Sequence, residues 1–335
     1  MSLFWERVEK RRFRIKDIDQ LKSLDDVFNQ YTIEALYELM NRGVIGDIHG
    51  PVAQGKEAKV FWGETPDGED IAIKIFYTTT AQFIRGRQKY IAYDHRFEGV
   101  KTSSKFKLME VWCRKEFRNL KIAYDAGVRV PRPIAFYRNI LVMEFISYQD
   151  QRGVPAPLMK ECPPDDPEQA YYTILKYIER GFILGKIIHA DLSEYNIVNT
   201  GKELVIIDWG SAVKVSGPET YEFLLRDIKN ITRYFEKEFE INVFDPEKVF
   251  KVILSRAERF KKESREKEKI EERDGFLVIS GKTLIEELQE EKPTEEVEIE
   301  EVKTHAIEAE SNEVTETDVE SNEENVEEVE EKEGS

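Results

Sequence analysis

Cysteine is nearly absent from this chain: Cys113 and Cys162 are the only two in 335 residues, and they offer neither a metal-ligand spacing nor a disulfide framework. A scaffold stapled by sulfur is excluded, and a reducing compartment, the cytoplasm, is expected. No apolar run approaches the length of a membrane span, and the opening MSLFWERVEKRR lacks the apolar core of a secretion signal. An excess of positive charge is also missing, since the formal net charge is -17. That imbalance is local: residues 293–335 hold eighteen Asp/Glu against two Lys, and the remainder is close to neutral. The same segment has no aromatic residue and no apolar periodicity, so it cannot bury enough surface to offset the entropy of ordering it. A disordered acidic tail is expected there. It reads either as a solubilising tail or as an acidic arm that competes with RNA for a basic surface on the body.

The body, 40% hydrophobic and 11% aromatic over the whole chain, has material for one large core or two lobes. Residues 1–48 read as a helical extension, with Val27, Tyr31, Ile33, Leu36, Leu39 and Met40 at helical spacing before a Gly stop. The stretch KVFWGETPDGEDIAIKIF alternates on both sides of a Pro-Asp-Gly turn and predicts a hairpin. Its second strand puts Ile71, Ile73 and Ile75 on one face and Ala72, Lys74 and Phe76 on the other. A lone lysine on a strand is usually solvated, but a second residue changes that reading. In EVWCRKEFRNLKIAYDAG, helical by period and closed by Gly, Trp112, Glu116, Leu120 and Ala123 form one stripe. A glutamate ionised on a core-facing stripe is costly without a cation beside it, and Lys74 is the candidate partner.

Glycine is sparse where a phosphate-binding loop would want it. QGKEAKVF holds Gly55 alone, with the small Ala58 able to let backbone amides approach a phosphate. Further on, ILVMEFI (140–146) is an apolar strand interrupted by Glu144 and followed by a polar, Pro-rich linker, the pattern of a hinge whose Glu144 and Ile146 peptide groups can bond adenine. A helix over 168–187 leads into HADLSEYN, where Asp191 and Asn196 lie five positions apart. The apolar strand LVII then ends at Asp208-Trp209-Gly210. One carboxylate to accept a hydroxyl proton, with an amide and a second carboxylate to hold Mg2+ on phosphates, is what phosphoryl transfer from a nucleotide requires. The alternative is a loop whose Asp and Asn cap turns.

With MNRG at 40–43, GKEAKVF at 55–61, IAIKIF, RKEFRNL, VMEF at 142–145, HADLSEYN and IIDWGSAV on the page, the chain resembles the RIO family of atypical protein kinases, its type-one subfamily most closely. Residues 1–48 are too short for the winged helix of the type-two subfamily. The resemblance implies an α+β, bilobal protein-kinase-like fold with a truncated C-lobe. The expected order is an N-terminal helical extension (1–48), an N-lobe (49–146) with its hinge at 143–146, a C-lobe (147–260), a charged helical extension (261–292) and the acidic tail (293–335). It implies Asp191 as the catalytic-loop aspartate, Asn196 and Asp208 as magnesium ligands, and Asp208 as a second catalytic candidate through a transient aspartyl phosphate. ATP would contact Gly55, Lys56, Glu57, Ala58, Val60, Lys74 with its partner Glu116, the gatekeeper Met143, Glu144 and Ile146. The implied cofactors are ATP and Mg2+, with Mn2+ as an alternative.

Only twelve residues separate Asp208 from the helix starting at Tyr221, and none reads A-P-E, so no peptide-docking platform of an ordinary kinase fits. Trp209 replaces the usual Phe. Between Lys74 and Glu116 lies a basic, aromatic insert with a small polar loop, where the resemblance makes Ser103 and Ser104 autophosphorylation candidates. The implied partner is the small ribosomal subunit precursor and its RNA, which basic stretches around Arg85, Arg87, Lys89 and Arg114, Lys115, Arg118 would permit. No membrane or DNA partner is expected. Small-molecule kinases of the aminoglycoside and choline type share a similar acidic loop, and a nucleotide-binding scaffold is a further alternative. Removing residues 293–335 is expected to leave the melting temperature nearly unchanged. If the tail competes with RNA, titrations at low salt will show the shortened protein binding RNA more tightly; equal affinity there rules the competition out.

Overall fold

The computed structural model describes residues 29–77, 105–263 and 270–290. Ser103, Ser104, the basic insert and the acidic tail lie outside the described residues. Helix α1 (Gln30–Asn41) starts where the Asn29 side chain accepts the Thr32 N–H, and it buries Thr32, Ala35, Leu36 and Leu39 along one stripe. It ends at the Gly43 turn, and β1 (Asp47–Gln54) follows. The helical expectation for residues 1–48 is therefore too long at its end, because the chain has already turned and joined a sheet by residue 47.

That sheet is five-stranded and antiparallel in the order β1-β2-β3-β5-β4, with β2 (Ala58–Glu64), β3 (Asp70–Phe76), β4 (Pro133–Tyr137) and β5 (Ile140–Glu144). The Pro66-Asp67-Gly68 turn closes on Gly68 N–H to Thr65 O at 2.9 Å. Strand alternation then divides the side chains. Ile71, Ile73 and Ile75 pack with Ile140 and Val142 under α1, while Ala58, Phe76 and Leu141 pack on Trp112 and Cys113 of α2 (Lys105–Asp125). Asn139, fully buried, joins the layers by donating to the Thr32 hydroxyl and the Phe76 carbonyl, both at 2.9 Å.

The second lobe is built on α3 (Pro167–Arg180), α4 (Tyr221–Phe239) and α5 (Pro246–Glu263). Two short ladders carry the polar segments: β6 (Ile187–Ile188) with β9 (Val213–Lys214), and β7 (Ile197–Asn199) with β8 (Leu204–Ile206). Regular α-helix stops at Arg180 rather than at residue 187. Gly181–Gly185 widens into a π-turn, and Lys186 takes a left-handed conformation that points the chain into β6.

The largest departure lies in residues 261–292. In place of a charged helix and a lobe ending at 260, α5 runs to Glu263. A hairpin, β10 (Glu272–Arg273) with β11 (Phe276–Leu277), and a short helix α6 (Leu284–Gln289) then return to the lobe. Leu277, Ile279, Leu284 and Leu288 are part of its hydrophobic core. The charges that suggest a solvated helix are consumed internally. Arg256, with no exposure, bonds Glu179 at 2.6 Å, Glu287 at 2.5 Å and the Leu277 carbonyl at 2.8 Å. Burial pushes the Glu179 carboxyl up to about 7 even with Arg256 beside it. On the far side, Arg180 donates to the carbonyls of Ala126 and Gly275. Its guanidinium covers Gly127, whose φ of +74° and lack of a β-carbon make room for it. Replacing the guanidinium in Arg256→Met strands the buried Glu179 carboxylate and leaves Glu287 with Arg259 alone, so denaturant unfolding is expected to show a loss of about 3–5 kcal/mol. Limited proteolysis should then cut first between residues 264 and 290; wild-type stability would mean the pairs contribute nothing.

Candidate active site

Strand β3 delivers Lys74 to the face opposite its isoleucines, and the middle of α2 delivers Glu116 toward it. The ammonium meets the carboxylate at 2.7 Å, with Glu116 2% exposed, and reaches Asp208 at 3.1 Å. Burial alone would push the Lys74 pKa down, but Asp208 and Glu116 outweigh it and raise it above the ordinary lysine value. The stripe that singled out Glu116 is a buried one: Trp112, Leu120 and Ala123 are all in the core.

Asp208 and Asp191 stand at the ends of the two ladders. Asp191 and Asp208 are exposed, and Asn196 donates its side-chain amide to the Asp191 carbonyl at 2.7 Å. This geometry turns the Asn196 Nδ2 inward to the loop and leaves Oδ1 as its ligand atom. Among the described residues no three His, Cys, Asp or Glu side chains converge as a metal cage. One carboxylate and one amide oxygen are nevertheless the small protein share that Mg2+ takes when phosphates and water complete its shell, so Asp208 and Asn196 fit the ion. Next to Asp191, His189 is buried and donates from Nε2 to the Ile207 carbonyl at 3.0 Å. Desolvation lowers its pKa, and its bond to the Ile207 carbonyl ties the segment before Asp191 to the segment before Asp208. Trp209 packs edge-on against it at 4.8 Å and is buried in the lobe core.

The remaining predicted residues fall around this centre with two corrections. Gly55, Lys56 and Glu57 form the turn between β1 and β2, closed by Gly55 N–H to Ala58 O at 2.9 Å, and Val60 sits opposite Lys74 in the ladder. Met143 lies opposite Ala72 and packs against the cores of both lobes. At the hinge the two residues expected to bond adenine are partly occupied. The Glu144 N–H donates to Arg132 O at 2.8 Å, and Ile146 O accepts from Ala156 N–H at 2.9 Å. The Ile146 N–H is the hinge donor that remains. The Glu144 carboxylate is held bidentately by Arg129 at 3.0 Å on each oxygen. Lys115 is the second correction: it is fully buried and donates to main-chain carbonyls, so it offers RNA nothing, whereas Arg118 is exposed.

Two residues that sequence reasoning missed hold the loop from below. The buried Asp227 of α4 accepts the Ala190 N–H at 2.8 Å and the Leu192 N–H at 3.0 Å, and Arg226 donates to the Ala190 carbonyl. Ala190 is left-handed, with φ +63°, a conformation that costs a β-carbon residue about 1–2 kcal/mol and persists because these three bonds fix it. Burial pushes the Asp227 carboxyl up to about 7. The signal for Asp227 was weak, because an Asp on an amphipathic helix reads as solvent-facing.

The RIO domain family model matches residues 59–249, more than half of the chain. The chain belongs to the RIO family. Several of its relatives are type-one members. A RIO-type serine/threonine-protein kinase Rio1 of Haloferax volcanii is 41% identical over 227 residues, 68% of this chain and 76% of that protein. The serine/threonine-protein kinase RIO1 of Saccharomyces cerevisiae is 33% identical over 73% of this chain and 56% of its own length. For human RIO1 the figures are 34%, 68% and 40%, so the chain spans about half the length of these eukaryotic RIO proteins or less. A solved Rio2 kinase-ADP/Mg2+-phosphoaspartate complex from Chaetomium thermophilum shares the RIO fold, with a TM-score of 0.50 and 21% identity over 65% of each chain. In this RIO chain, Asp227→Asn presents an amide donor to one of the two N–H groups under the catalytic-type loop. It is expected to lower stability by about 1–3 kcal/mol in denaturant melts, and an unchanged midpoint would remove the bracing role.

Proposed function

We propose that the chain is an ATP-dependent RIO-type serine/threonine kinase that autophosphorylates and also turns ATP over as a switch in maturation of the small ribosomal subunit. The observation that carries this reading is Lys74 held between Glu116 and Asp208. The amine is then fixed where it can meet nucleotide phosphates, and Asp191 is exposed where it can take a hydroxyl proton. In this reading the Ile146 N–H meets adenine and the Gly55 turn meets the phosphates. Bound Mg2+, held by Asn196 and Asp208, would neutralise charge on the β- and γ-phosphates. Supporting the switch over a kinase that docks peptides, only β9 and one 3₁₀ turn separate Asp208 from α4. The ribosomal partner, its RNA and a cytoplasmic location come with the family; among the described residues no helix is long and apolar enough to cross a membrane.

Hydrolysis in this reading uses Asp208 as the acceptor. Its carboxylate attacks the γ-phosphorus, the bond to the bridging oxygen of ADP breaks, and water then attacks the acyl phosphate to release inorganic phosphate, giving its proton to a nearby carboxylate. A solved relative contains phosphoaspartate, which supports this route. Asp191→Ala is expected to abolish autophosphorylation and ATP turnover while nucleotide binding survives; lost binding in a folded variant contradicts the role. With γ-labelled ATP and an acid quench, hydroxylamine should release label from Asp208 and spare phosphoserine. Turnover with no labelled Asp208 would mean direct attack by water. Stimulation of turnover by small-subunit precursor particles separates this reading from a small-molecule kinase, and absence of any turnover separates it from a scaffold.

A further inference from the structure

The motif RKEFRNL contains one residue whose place in the site is described above, Glu116, and two that point elsewhere. Lys115 and Asn119 are four positions apart on α2, so they project from the same side of the helix, next to Glu116. Both are fully buried. Lys115 donates from Nζ to the Gly210 carbonyl at 2.8 Å and to the Ala212 carbonyl at 2.5 Å. Asn119 donates from Nδ2 to the carbonyls of Trp209 and Ala212, each at 3.0 Å. Three of the four residues that follow Asp208 are thus fastened through their main chain to one helix. Gly210 permits the closeness: a β-carbon there would lie 2.9 Å from the Trp112 ring.

Two physical costs make this more than packing. Taking an ammonium wholly out of water is expensive, and a methionine of similar length would fill the space without that cost. Asp208 itself sits at φ +62°, a region that a residue with a β-carbon leaves unless its surroundings hold it. The loop after it has no regular structure of its own before β9. Four bonds to α2 hold that backbone, besides the Lys74 pair on Asp208 and the buried Trp209 ring.

We propose that Lys115 and Asn119 are positioning residues that lock the Asp208–Ala212 loop to α2, so that Asp208 and Glu116, the two carboxylates on Lys74, move as one body. The helix cannot swing away from Lys74 without carrying the metal-ligand loop with it. The site is therefore preassembled before nucleotide arrives, and its metal affinity depends on residues that touch neither metal nor nucleotide. The inference rests on the proposed Mg2+-nucleotide function of the site for its ligand, and on the main-chain bonds alone for its mechanics.

Lys115→Met and Asn119→Ala, made singly in the full chain, test it through binding of ADP measured by calorimetry. ADP affinity in chelator should stay within about twofold of wild type, because the hinge and Lys74 are untouched. The Mg2+ concentration that half-saturates the binding of ADP should rise about tenfold, the effect of losing bonds worth about 1.4 kcal/mol. Turnover should fall in kcat, with KM for ATP nearly unchanged at saturating Mg2+. A folded variant with a lower melting temperature and a wild-type Mg2+ midpoint would make both residues merely structural and overturn the proposal. Should either variant fail to fold, hydrogen exchange on the wild type decides. The Ala212 amide, which donates to the Trp209 carbonyl at 3.3 Å, should open together with the α2 amides from Lys115 to Asn119. Exchange at Ala212 about a hundredfold faster than in that helix would show independent motion and sink the lock. A wild type that binds no Mg2+-ADP would instead refute the functional reading, while the exchange result would still judge the lock.

Discussion

The charge on Lys74 organises this molecule. An ammonium on a strand whose other face is isoleucine has only one direction to go, and two carboxylates from distant parts of the chain meet it there. Glu116 brings α2 onto the sheet, and Asp208 brings the second lobe to the first. Removing the cation would leave a glutamate with 2% exposure inside an apolar stripe, a penalty larger than most single packing defects. The pair is thus a structural constraint as well as a chemical one, and the position of α2 follows from it.

Much of this was legible from residue order because each step had a local physical signature. Period-two alternation around Pro-Asp-Gly announced β2 and β3. The Trp112-Glu116-Leu120 stripe announced a buried carboxylate that required a cation, and an apolar strand ending at Asp208 announced a second carboxylate at an edge. What stayed hidden had no such signature. Strand β1, DIHGPVAQ, contains Gly and Pro and buries little, so it resembles a loop. Asp227 and Lys115 are polar residues on helices, where solvent exposure is the ordinary reading, and only tertiary structure shows that each closes main-chain bonds of a loop far away in sequence.

The same limit explains the end of the described chain. Glu, Lys and Arg dominate residues 255–290, and composition alone favours a solvated helix. Burying Arg256 among Glu179, Glu287 and two carbonyls reverses that, because each charge is desolvated together with a partner. The apolar residues between them, Leu277, Ile279, Leu284 and Leu288, are few and irregularly spaced, too weak a pattern to read without the lobe they complete.

That arrangement also bears on how the protein is made. Glu287 follows Arg256 by 31 residues, so a ribosome that has released α5 but not α6 presents a guanidinium with one of its two carboxylate partners and a lobe without its last wall. The sheet with α1 and α2 is complete far earlier in synthesis. During translation the first lobe can therefore fold while the second waits, and the cleft between them closes into a working shape only when the last of the core has emerged.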